Sequence, residues 1–97
     1  MFDKFKQVME MRKQAEKIKK ELDATNVDVD EVRGIKLVIS GSQRFHYLEI
    51  DSDLMKPENK KHLESHLLQA MNTAVRKSQE VGAKKMKEMT GLNLPGM

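Results

Sequence analysis

The sequence predicts an α+β fold: a long N-terminal helix, a three-stranded antiparallel sheet and a long C-terminal helix, in that order. Three observations support this prediction. Residues 2–23 and residues 57–89 repeat apolar residues at steps of three and four, while residues 34–51 contain two β-rich runs around a short turn. Because helices and strands differ in period, the element order follows from the sequence pattern. All 97 residues are assigned to a single domain, 1–97.

The first helix is predicted over residues 2–23. Its apolar seam consists of Val8, Met11, Ala15, Ile18 and Leu22. No glycine or proline interrupts the stretch, and Asp, Thr and Asn near residues 23–26 are poor helix formers. The helix is therefore expected to end there.

The sheet is predicted over residues 27–51. A short strand at 27–30 alternates valine with aspartate, and the stretch 34–51 forms a hairpin around Gly41. Period-2 alternation assigns one face of the hairpin to Ile35, Leu37, Ile39, His46, Leu48 and Ile50. It assigns the opposite face to Val38, Phe45 and Tyr47. Because both faces of the hairpin carry apolar residues, we expect another element or chain to pack on each face.

The second helix is predicted over residues 57–89, with Pro57 in its first turn and an extended tail at 90–97. The two helices would be about 33 and 45 Å long, whereas a six-residue strand covers about 20 Å. Both helices would overhang the sheet with apolar seams that need a partner surface. Together with the second apolar face of the hairpin, this predicts a homodimer.

Composition narrows the class of function. The chain has no cysteine, which excludes disulfides, thiolate metal sites and cysteine nucleophiles. It lacks P-loop, dinucleotide-binding and nucleophile-elbow motifs, so we expect neither an enzyme nor a cofactor or small-molecule substrate. No apolar run is long enough for a membrane span, and the N-terminus has no signal-peptide core. We expect a cytoplasmic protein without membrane contact.

One pair of histidines has the spacing of two metal ligands on a helix. His62 and His66 stand four residues apart, on one face of the predicted helix. The zinc-protease pattern needs a glutamate directly after the first histidine, and Glu64 is not in that position. Solvent-facing histidines are the preferred interpretation, and no metal site is predicted.

Charge is distributed unevenly along the chain. Residues 1–23 carry seven Lys or Arg against five Asp or Glu, and residues 57–97 carry seven against four. Residues 24–56 carry four against six, so basic ends flank an acidic middle. This distribution is typical of a polyanion-binding surface and equally of a solvated helical surface, and charge alone does not separate the two.

Three segments carry a family resemblance: LEIDSDL at 48–54, HLLQAMNTAVRK at 66–77 and KKMKEMTGLNLPGM at 84–97. With the order of elements, they resemble the YbaB/EbfC family of bacterial nucleoid-associated proteins. The resemblance implies a dimer whose helices project from a shared sheet like tweezers and bind double-stranded DNA, often with little sequence selectivity. One departure is the turn before the second strand, which retains only Gly34 of a usually glycine-rich turn.

A DNA-binding function predicts phosphate contacts from basic residues on both helices. The candidates are Lys4, Lys6, Arg12, Lys13, Lys17, Lys19 and Lys20 on the first helix and Arg76, Lys77, Lys84, Lys85 and Lys87 on the second. No rigid set of base-reading side chains is evident, so low sequence specificity is expected. The alternative is a dimeric adaptor that binds another protein, which the eight methionines favour because their side chains are adaptable.

Overall fold

The computed structural model describes residues 2–91 of the chain. Helix α1 spans Phe2–Ala24, and the strands β1, β2 and β3 span Asn26–Val29, Ile35–Ser40 and Phe45–Ile50. Two short 3-10 turns at Ser52–Met55 and Pro57–Asn59 lead into helix α2, Lys60–Thr90. The predicted fold class is confirmed: a helix, a three-stranded antiparallel sheet and a long second helix.

The helix boundaries differ from the predicted ones at α2. Pro57 opens a 3-10 turn rather than the α-helix, which begins three residues later at Lys60. Thr90 still belongs to α2, and Gly91 ends it with a left-handed φ of 70° while its N–H donates to the Lys87 carbonyl. The predicted extended tail therefore does not include Thr90. Its residues 92–97 lie outside the described residues.

The sheet has the strand order β1-β2-β3, and both pairings are antiparallel. A β-bulge between Val38 and Ile39 shifts the β2–β3 register, so that Ile39 pairs with Phe45 rather than with His46. The assignment of Phe45 to the face opposite Ile39 was therefore wrong. Leu48 does pair with Leu37 as the alternation requires.

The connection between β1 and β2 depends on Gly34, the one glycine kept in that turn. Its φ is +84°, a region that favours glycine, and a Cβ there would lie 2.6 Å from Leu54 Cδ1. Its carbonyl accepts a 2.8 Å hydrogen bond from the Asp51 N–H. The Asp51 side chain in turn accepts from the Asp53 N–H and caps the first 3-10 turn.

Helix α2 packs on β1 and β2 through a row of small buried residues four apart. The row consists of Ala70, Ala74, Ser78 and Gly82. Small side chains allow the helix to lie close to the sheet, where Ile35, Leu37 and Ile39 form the core beneath it. The Ser78 hydroxyl donates a 2.7 Å hydrogen bond to the Ser40 carbonyl, so this buried contact has no unpaired polar atom on Ser78.

Helix α1 is attached to this body only by its last turns. Leu22 lies against Gly41 and Gly82, where a Cβ on Gly41 would come within 3.2 Å of Leu22 Cδ2. The Gly41 N–H donates to the Thr25 carbonyl at 2.8 Å, and Ser42 donates to the Asp23 carboxylate. Every residue from 3 to 17 is exposed. The molecule is accordingly elongated, with extents of 67 × 24 × 16 Å.

Substituting Gly82 by alanine tests the close approach of α2, α1 and the sheet. Alanine favours a helix by about 1 kcal/mol over glycine, yet its Cβ would lie 3.0 Å from the Gly41 carbonyl oxygen. Overpacking typically costs about 1–3 kcal/mol, so after the gain in helix propensity we expect a net destabilisation of up to about 2 kcal/mol, measured by urea unfolding. The exposed Gln79→Ala is the control and should be nearly neutral. A stabilised Gly82→Ala protein would show that the contact is not tight.

Candidate nucleic-acid interface

The twelve predicted cations divide between two environments. All seven on α1 are exposed along the projecting part of the helix and its junction. On α2, Arg76, Lys84 and Lys87 are exposed, whereas Lys77 and Lys85 are partly buried. Both sets of cations therefore lie at the surface, but two of the α2 cations are less exposed than the rest.

Three of the five α2 cations are held in ion pairs. Lys77 Nζ lies 2.7 Å from Glu31 Oε1 and also donates to the Asp28 carbonyl, which ties α2 to the β1 side of the sheet. Lys85 Nζ lies 3.1 Å from Glu21 Oε1 and joins α2 to α1. Lys77 and Lys85 therefore stabilise the fold in this structure rather than standing free for a ligand.

Arg76 is paired within its own helix. Its guanidinium lies 3.2 Å from Glu80 Oε1, one helical turn further along. Both side chains are well exposed, so the pair is weak and open to exchange. On α2 this leaves Lys84 and Lys87, of the predicted set, outside the ion pairs between described residues.

The α1 cations form no ion pair within residues 2–91. Four of them share one side of the helix: Lys6, Lys13, Lys17 and Lys20. At 100° per residue these four occupy about 60° of the helix circumference. We call this set the lysine stripe. No acidic residue lies inside it, although Glu10 and Glu16 border it.

The lysine stripe faces away from the body of the molecule. The partly buried residues of α1, Ile18 and Leu22, lie roughly opposite it on the helix. Arg12 and Lys19 fall on a third side of the helix, and Lys4 lies on the same side as Leu22. The sequence prediction gives these cations as one set. The spacing of seven, four and three residues between the stripe lysines would have been enough to separate them.

Two exposed lysines at the start of α2 are not among the predicted candidates. Lys60 and Lys61 open α2 and take part in no ion pair among the described residues. Gly82, which packs near Leu22 of α1, is more than twenty residues further along α2, or about 33 Å away. These lysines are therefore remote from the lysine stripe.

Comparison with known protein families assigns the chain. The family model described as the YbaB/EbfC DNA-binding family matches residues 1–93. The chain belongs to this family. A nucleoid-associated protein of Desulforamulus reducens is 36% identical over 94 residues, covering 95% of this chain and 90% of its own. A nucleoid-associated protein of Alkaliphilus metalliredigens is 31% identical and covers 100% of this chain and 87% of its own.

The acidic middle of this YbaB/EbfC family member lies on and around the sheet. Asp28, Asp30 and Glu31 follow or belong to β1, and Glu49 and Asp51 lie at the end of β3. A hydrogen bond from Lys77 holds the pKa of Glu31 below its ordinary value. The acidic groups around this end of the sheet would repel phosphate.

The histidine pair of this family member has a defined geometry. The His62 and His66 rings are 6.4 Å apart, and the His66 Nδ1–H donates to the Arg33 carbonyl at 3.0 Å. The carbonyl can only accept, so this bond explains the position of His66 as a tie between α2 and the β1–β2 turn. Among residues 2–91, no group of three or more His, Cys, Asp or Glu could hold a metal ion.

An exposed apolar surface lies at the β3 side of the molecule. Lys77 reaches β1, so the opposite side of α2, which carries Leu68 and Met71, faces β3. Leu68 is 64% exposed and Leu48 is 52% exposed, although Leu48 pairs with the buried Leu37. We call Phe45, Leu48, Leu68 and Met71 the β3–α2 surface.

None of the described helices is both long and apolar enough to cross a membrane.

The Lys77–Glu31 pair predicts a pH-dependent contribution to stability. Because the pKa of Glu31 is lowered in the fold, its ionised form stabilises the protein above the ordinary value of 4.5, and this contribution is lost as pH falls through the lowered pKa. Glu31→Gln should therefore be less stable than the unsubstituted protein near pH 7, and the difference should shrink in acid.

Thermal unfolding from pH 7 to pH 3 measures this difference. The control is Glu80→Gln, because its pair with Arg76 is more exposed and joins residues of one helix. A difference for Glu31→Gln that is the same at pH 7 and pH 3 would show that the carboxylate does not carry the effect.

Proposed function

We propose that this protein binds double-stranded DNA as a homodimer, mainly through phosphate contacts from its basic helices and with low sequence specificity. The observation that carries the proposal is the exposed part of α1, where seven cations have no ion-pair partner within residues 2–91. The location we propose is the nucleoid in the cytoplasm, in keeping with the nucleoid-associated proteins that it resembles.

Phosphate binding follows from the chemistry of the free cations. Each Lys or Arg that meets a phosphate releases condensed counterions from the duplex, a favourable term that weakens as salt rises. The lysine stripe offers ammonium groups, which act as point charges and do not fit base edges as a guanidinium or amide does. Contacts of this kind position a protein on DNA without reading sequence.

Homodimerisation is supported by the β3–α2 surface. Both the edge strand β3 and helix α2 expose large apolar side chains, on a chain whose own buried apolar core is small. Contiguous apolar surface of this kind marks an interface in soluble proteins. A two-fold axis would bring the same patch of each protomer together and double the number of phosphate contacts.

An adaptor that binds another protein is the second candidate, and the same β3–α2 surface favours it. The two functions respond differently to salt. Phosphate binding fades steeply between low and high salt, whereas apolar docking does not, because burial of apolar surface is not electrostatic. A partner retained at high salt while DNA is not bound at low salt would select the adaptor.

DNA binding is tested by mobility shift with unrelated duplexes across a salt series. We expect all duplexes to be retarded with similar affinity. If about six phosphates are neutralised, log K should fall with log salt with a slope of about −5. No shift at low salt with micromolar protein would contradict the proposal.

The homodimer is tested with Leu68→Glu, which places a charge in the β3–α2 surface. Sedimentation should report a dimer for the unsubstituted protein and a monomer for the variant, because burying an unpaired charge is strongly unfavourable. Gln69→Glu adds the same charge to the neighbouring exposed position and should leave the dimer intact. A folded Leu68→Glu dimer would place the interface elsewhere.

A further inference from the structure

We infer that the DNA-contacting surface is the lysine stripe on the outer side of α1, so that the duplex lies along that side rather than between α1 and α2. This inference deepens the proposed function and rests on it. It reduces twelve candidate cations on two helices to Lys6, Lys13, Lys17 and Lys20.

The first step is that most of the predicted α2 cations already take part in ion pairs. Lys77 and Lys85 are 30% and 32% exposed and bridge α2 to other elements. Moving either ammonium to a phosphate would break a tie between α2 and the sheet or α1. Arg76 is shared with Glu80, so among the predicted α2 cations only Lys84 and Lys87 are available without such a loss. Lys60 and Lys61 are also unpaired among the described residues, but they lie at the other end of α2.

The second step is the direction of the stripe. Leu22 lies against Gly41 and Gly82, which fixes the inner side of α1. The lysine stripe lies roughly opposite Leu22 and therefore faces solvent. A duplex on the inner side would meet exposed Val8 and Met11, which are 50% and 69% exposed and uncharged, with Lys4 as a single cation on the same side as Leu22.

The third step is the length and composition of the stripe. Lys6 and Lys20 are fourteen residues apart, or about 21 Å along the helix axis. Phosphates of one strand repeat every ~3.4 Å along the duplex axis, so the stripe is long enough to follow one strand over several phosphates. No acidic residue lies inside the stripe, although Glu10 and Glu16 border it, so its four ammonium groups can face that strand.

Three double variants that each remove two positive charges test the inference. Lys13→Gln with Lys17→Gln neutralises the centre of the stripe. Arg12→Gln with Lys19→Gln makes the same change on another side of α1, and Lys84→Gln with Lys87→Gln makes it on α2. All six positions are exposed, and circular dichroism and sedimentation check that helicity and oligomeric state are unchanged.

The measurement is fluorescence anisotropy of a labelled duplex over a salt series. For the stripe variant we expect the slope of log K against log salt to become less steep by about 1.8 for each arm in contact, because each lost phosphate contact removes about 0.9. The two control variants should keep the slope of the unsubstituted protein. Their affinity should fall only by the general loss of positive charge.

The outcomes separate the inference from the proposed function. An unsubstituted protein that binds no duplex overturns both. If it binds, an equal change of slope in the Arg12/Lys19 variant shows that the whole arm acts, and this overturns the stripe. A change confined to the Lys84/Lys87 variant moves the contact to α2 and overturns the inference while leaving the proposed function standing.

Discussion

The architecture depends on the close approach of α2 to the sheet. The residues of α2 that face the sheet are small, so the helix lies close to β1 and β2; they are Ala70, Ala74, Ser78 and Gly82. Leu22 of α1 packs next to Gly82. Leu22 therefore packs at the junction of α1 with the body, where the Ser42–Asp23 hydrogen bond and the Lys85–Glu21 ion pair also join the two. Because only the last turns of α1 are used in this junction, about fifteen residues of the helix project into solvent.

This geometry decides which charges are free. The helix that packs on the sheet comes within reach of Glu31 and Glu21, and its lysines at 77 and 85 pair with them. The helix that projects meets no acidic partner outside itself. The net charge of +3 is thus a poor guide to the site. What matters is that acidic partners lie within reach of Lys77 and Lys85 on α2, whereas the cations of α1 have no ion-pair partner among residues 2–91.

The order of elements was predictable because each one has a clear apolar period. The alternation in β2 and most of the three- and four-residue steps of α2 appear in the structure as buried or partly buried positions. In the seam of α1 only Ile18 and Leu22 are partly buried, whereas Val8, Met11 and Ala15 are exposed. The bulge opposite Val38 and Ile39 was not predictable, since nothing in the residues 45–47 marks one of them as extra. It changed the face of Phe45, and with it the description of the exposed surface.

Within the candidate site, long-range pairing was the part hidden from the sequence. Lys77 and Glu31 are 46 residues apart, and Lys85 and Glu21 are 64 apart, so no local pattern joins them. The lysine stripe, in contrast, is a helical periodicity and could be found once α1 was known to be one unbroken helix. The unpaired cations could be identified only once the structure showed which of the others form ion pairs.

The most direct measurement is hydrogen exchange of the α1 amides with and without duplex DNA. A projecting helix of this length is only marginally stable by itself, so residues 3–17 should exchange faster than the packed part of α2. Saturating DNA should slow their exchange and leave the amides of β2 unchanged. Bound DNA that protects α2 and leaves residues 3–17 unprotected would contradict the account that α1 is the DNA-binding arm.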